Sequence, residues 1–151
     1  DLARAPREVT ATYKEVTQKI LDLLEANVDF KADVKEYYFG QRAINDPRVK
    51  YPHAFADMDR DDVKPFVGKE KHEMYYFVGV THRHPDKDVA LKFVQDKAEE
   101  IQNILNANPT LGGLVEESYF VPSVIIDWVP TRDYTVVGAR LTLYARKVVR
   151  L

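Results

Sequence analysis

Apolar and polar positions along the chain predict two helices and five strands. Val9, Tyr13, Val16, Ile20, Leu23 and Leu24 recur in steps of three or four, with Lys14, Glu15, Gln18, Lys19, Asp22 and Glu25 between them. This spacing predicts a helix over about 7–27 with one dry and one wet side, ending near Asn27. The period then shortens. Residues 34–39 (VKEYYF) are rich in strand formers and stop at Gly40. Residues 49–56 alternate Val49, Tyr51, His53 and Phe55 with Lys50, Pro52, Ala54 and Ala56, a half-buried strand in which Pro52 implies a sheet edge or a bulge. Residues 57–70 (DMDRDDVKPFVGKE) read as a long polar loop. Residues 72–82 form a third strand, with His72, Met74, Tyr76, Val78 and Val80 on one face and Tyr75, Phe77 and Gly79 on the other.

Pro85 and Asp86 open a second helix over about 86–106, whose stripe is Ala90, Phe93, Val94, Ala98, Ile101, Ile104 and Leu105. Asp86 or Asp88 suits its first turn, and Asn108-Pro109 ends it. A Gly112-Gly113 turn leads to strands over 114–129, bent at Pro122, and 134–149. In the last strand Val137, Ala139, Leu141, Leu143 and Ala145 oppose Arg140, Thr142, Tyr144 and Arg146. The order α-β-β-β-α-β-β with short connections implies an α+β fold. A mainly antiparallel five-stranded sheet carries both helices on one face and leaves the other to water or a partner.

Composition narrows the function. The 151 residues suit one domain, 1–151, and a chain of this length buries roughly 70% of its unfolded surface. There is no cysteine, which excludes disulfide scaffolds, thiolate catalysis and Cys-based metal sites. Lys and Arg number 22 against 24 Asp and Glu, so the net charge is −2. The two signs are interspersed, so no basic footprint for nucleic acid stands out. No apolar run approaches the ~18–20 residues of a membrane span. Aromatic residues make up 11%, nearly all Tyr and Phe, and such rings need burial in the domain or in something it touches.

Catalytic and metal-binding patterns are sparse. Asp57, Asp59 and Asp61 have the spacing of a calcium loop, but its sixth and twelfth positions are Asp62 and Gly68 where Gly and Glu are needed. His82-x-His84 on a strand, with Asp86, could converge on a metal, yet Arg83 sits between them at a strand-to-helix turn. Ser118 and Ser123 lie outside any nucleophile elbow, and Glu116 and Glu117 point to opposite faces. No phosphate-binding loop is present. The residues call for no cofactor.

Several stretches carry a likeness. Ile20-Leu21-Asp22-Leu23-Leu24 closes the first helix, and Tyr75-Tyr76-Phe77-Val78-Gly79-Val80 lies in the third strand. Ile101-x-x-Ile104-Leu105-x-x-Asn108 ends the second helix, followed by Thr110-Leu111-Gly112-Gly113-x-Val115. The closing strand contains Ala139-Arg140-Leu141-Thr142-Leu143-Tyr144-Ala145. From about residue 7 to 149, this order resembles the tail terminator (tail completion) proteins of long-tailed bacteriophages and related viruses. The resemblance implies a non-enzymatic virion protein at the tail–neck junction, present in the host cytoplasm during assembly. It would form a homo-hexameric ring that caps the tail tube, stops its polymerisation and offers a surface to head-completion proteins. DNA would pass through the lumen without sequence-specific binding, and no membrane is involved. A ring needs two different patches per subunit. Asp57, Asp59, Asp61 and Asp62 on one side, and Arg140, Tyr144 and Arg146, with Lys147 and Arg150 nearby, on the other are the expected pair. The alternatives are another head–tail connector or neck protein, a tube-type subunit, or a small metal-dependent hydrolase using His82 and His84. The two helices argue against a tube subunit.

Overall fold

The computed structural model describes residues 12–151. The fold is α+β, with a five-stranded mixed sheet and three helices. Helix α1 spans Tyr13–Ala26; residues 7–11 of the predicted helix, Val9 included, lie outside the described residues. A reciprocal cap fixes its start: Thr12 Oγ1 accepts the Glu15 N–H at 3.1 Å, and Glu15 accepts the Thr12 N–H at 2.9 Å. Asn27 stops α1 as expected, and its side chain then accepts the Phe30 N–H at 2.9 Å. It thereby starts a short helix α2, Val28–Asp33, which buries Phe30 and makes the helix count three where two were expected.

Strand β1 is Glu36–Phe39. Strand β2 runs from His53 to Phe66 and β3 from Lys69 to His84. The predicted polar loop 57–70 is therefore most of a hairpin, turning at Val67-Gly68 with Gly68 in the left-handed region. Periodicity could not reveal it, because residues 62–66 are exposed on both faces. Pairing with β3 holds this stretch extended, overriding the poor strand propensity of Asp and Lys. The strand expected from residue 49 begins only at His53, directly after a cis Tyr51–Pro52 bond, so Pro52 stands outside the sheet. Helix α3 spans Lys87–Asn106, capped by Asp86. Strands β4, Glu117–Pro130, and β5, Thr135–Arg150, complete the chain. The β4–β5 register shifts between Phe120 and Val124, around Pro122.

The sheet order is β1-β2-β3-β5-β4, with β1 parallel to β2 and the other pairs antiparallel. Helices α1, α2 and α3 pack on one face. Their core contains Val16, Ile20, Leu24, Phe30, Val94 and Ile101 against Tyr76, Val78, Ala139, Leu141 and Leu143, all buried. The alternation expected for β3 and β5 is realised: Met74, Tyr76, Val78 and Val80, and Val137 through Ala145 at every second position, enter this core.

The second face is not wholly bare. Segment 40–52 folds back over its β1 end. Arg42 lies over the Tyr38 ring at 4.8 Å, and Lys50 N–H donates to the Tyr38 hydroxyl at 3.2 Å. Arg83 sits 4.8 Å from both the Tyr51 and Tyr134 rings. Beneath this cover His53 and Phe55 are almost fully buried. Burial lowers the His53 pKa and so favours the neutral imidazole.

Candidate interaction surface

Beyond segment 40–52, one row of side chains crosses the second face from β2 to β4. Tyr75 on β3 pairs directly with Tyr144 on β5, which pairs with Tyr119 on β4; Arg60 on β2 stands opposite Tyr75. The Arg60 guanidinium lies 4.0 Å from the Tyr75 ring centre, a cation–π contact. Tyr75 meets Tyr144 edge-on at 5.4 Å, and Tyr119 lies 4.8 Å from Tyr144. Direct cross-strand pairing brings these rings together, because opposite residues of antiparallel strands share a face. Tyr144 is 7% exposed, whereas Tyr119 at the β4 edge is 52% exposed. The row is therefore packed at its centre and open at its β4 end.

A charged row runs alongside. Glu73 receives Lys64 at 2.6 Å and the Tyr144 hydroxyl at 2.9 Å, with Lys71 at 3.7 Å. The hydrogen bonds from Lys64 and Tyr144 hold the Glu73 carboxyl down to about 2. Burial, reinforced by Glu73, raises the Tyr144 phenol. Arg146 faces Glu117 at 3.3 Å, and Arg140 stacks 4.3 Å over Phe77. These groups are held rigidly but are not set up to move protons: the carboxylate stays ionised and the phenol stays protonated.

The expected interface residues fall into two groups. Asp57, Asp62, Arg140, Tyr144 and Arg146 share the second face through the strand register. Asp59 sits at a register shift between Met58 and Arg60, where it pairs with Arg60 at 3.0 Å; Asp62 takes the same guanidinium at 3.3 Å. The acidic stretch is thus partly neutralised within its own strand. Strand β3 separates it from β5.

Asp61 and Lys147 face the helices. The register shift turns Asp61 to the helix side, where its Oδ2 accepts the Tyr13 hydroxyl at 2.6 Å and lies 2.6 Å from His72 Nδ1. Asp61 pushes the Tyr13 phenol up to about 12, chiefly through this hydrogen bond. A phenol so held is neither base nor nucleophile. The cluster clasps the first turn of α1 to the β2–β3 hairpin, with buried Lys147 nearby. Sequence reasoning missed this cluster because it depends on the hairpin read as a loop.

The metal-like motifs are dispersed. Asp57, Asp59 and Asp61 lie on a strand and do not wrap a common centre. His82 packs on Phe93 at 4.6 Å, and burial lowers its pKa. The His84 Nδ1 accepts the Asp86 N–H at 2.9 Å, while Asp86 caps α3. The two imidazole centres are 6.1 Å apart and tilted. Among the described residues, no group of three or more His, Asp or Glu is arranged to hold a metal ion. Ser118 donates to the Pro109 carbonyl at 2.9 Å, a turn contact.

The most exposed apolar side chains lie along β4. Val124, Ile125, Trp128 and Val129 are exposed, as is Tyr119, and the outer side of β4 has no neighbouring strand. A long, apolar free edge of this kind is a ready template for another chain. No family model matches the chain, and no curated protein matches it.

Proposed function

We propose that this protein is a non-enzymatic structural subunit of the tail terminator type. It assembles into a hexameric ring that caps a tail tube, stops its polymerisation and receives the head-completion proteins, while DNA passes through the lumen. The observation carrying this reading is the second face of the sheet: a cross-strand Arg60–Tyr75–Tyr144–Tyr119 row that runs out, unfinished, at the apolar edge of β4. Rigid aromatic anchors beside partly desolvated charges are the composition of subunit interfaces. The near-balanced charge suits a lumen through which DNA slides, since few cations are available to grip phosphates.

Negative-stain electron microscopy of the purified chain and its Arg140→Glu/Arg146→Glu variant tests this reading. Wild-type protein is expected to give rings, and the variant single subunits with unchanged circular dichroism. Identical rings from both would remove the second face from the contact. Single subunits from both would overturn the ring.

A further inference from the structure

We propose that the tip of the β2–β3 hairpin docks into the groove between α3 and β4 of a second copy of this chain. This contact rests on the ring reading above and names its joint.

The tip is apolar and cationic. Val67 is 100% exposed and Phe66 is 51% exposed. Phe66 pairs with Lys69, and Lys69 with Arg150, so one aromatic ring and two cations form a row on one face. Lys69 and Arg150 make no ion pair among the described residues. The groove has the matching chemistry. Ala98, Val124 and Ile126 supply apolar surface, and Gln95 and Gln102 line it. Glu99 also lines it, exposed and without an ion pair among the described residues. Its open volume is about 330 Å³. A cavity of ~150 Å³ already admits a benzene ring, so Phe66 fits with Val67 beside it.

The tip cannot fill its own groove. Val124 pairs with Leu141, whereas the tip pairs with Arg150, nine residues further along β5. At ~3.4 Å per residue that separation is about 30 Å. Occupation therefore requires a second molecule. Each copy offers one tip and one groove, and such head-to-tail contacts close into a ring when the rotation permits.

The chain has no cysteine, so engineered thiols report contacts without background. A Val67→Cys variant is mixed with a size-tagged Gln95→Cys variant, oxidised mildly and separated without reductant. The control partner is Val28→Cys, which is equally accessible but lies on α2. The 67–95 heterodimer is expected to form about ten-fold or more faster than the 67–28 pair, reflecting effective concentration at the joint. Equal rates overturn the docking. Light scattering on the same samples separates the two claims. Assemblies without the selective cross-link overturn this joint alone. Single chains without it overturn the ring as well.

Discussion

Gly79→Ala probes the crowded centre of the second face. A Cβ at Gly79 would stand 2.2 Å from the Ala139 carbonyl oxygen and 2.6 and 2.8 Å from two ring carbons of Phe55. Unstrained carbon contacts lie at ~3.5–4.0 Å. The carbonyl belongs to the β3–β5 ladder, and Phe55 is almost fully buried, so neither moves away freely. Overpacking costs roughly 1–3 kcal/mol, and a clash with backbone places this substitution near the top of that range. For a chain of this length ~3 kcal/mol lowers Tm by about 6–12 °C. Thermal unfolding followed by circular dichroism measures the shift. The same substitution made in a Phe55→Ala background should cost less but not vanish, because the carbonyl contact persists. A Tm change under about 2 °C in the otherwise wild-type chain would refute the reasoning.

Two other perturbations address the charged groups. The folded-state pKa of Glu73 lies near 2, below its ordinary value, so its stabilising contribution is present above the unfolded pKa and is lost as pH falls towards 2. Urea midpoints of wild type and Glu73→Gln should differ by a constant amount at neutral pH and converge between about pH 4.5 and 2; a difference independent of pH would contradict this. Lys97 is buried and bonds Asp33 at 2.5 Å and Glu100 at 2.6 Å, joining α3 to α2. Its partners keep access to water, so Lys97→Ala should cost about 1–3 kcal/mol, less than the ~3–5 of a fully buried pair. Lys97→Met keeps the buried stem and should cost less than Lys97→Ala in urea titration; equal losses would mean that the stem contributes nothing.

Legibility in the sequence followed the balance between burial and pairing. Helix α3 and strand β5 bury one face each, so their periods of 3.6 and 2 were plain, as was the bend at Pro122. The stretch 57–66 carries no such pattern beyond Asp57. It is a strand because β3 pairs with it, a long-range cause that local composition does not encode. Helix α2 is too short for periodicity, and Asn27 serving both as stop and as cap hid it. Arg140, Tyr144 and Arg146 were legible as a shared face from alternation alone. Their neighbours Arg60, Tyr75 and Tyr119 were not, because assembling that row requires the strand order and the register shift at Asp59. Asp61 went to the wrong side for the same reason: one extra residue reverses the facing of everything that follows it.

The central claim is that copies of this chain assemble through these surfaces. Its most direct test is the mass of the purified full chain by light scattering coupled to size exclusion, across a range of concentrations. The account predicts a species of six times the 17.4 kDa chain mass that dominates at high concentration. A single 17.4 kDa species at every concentration would contradict it.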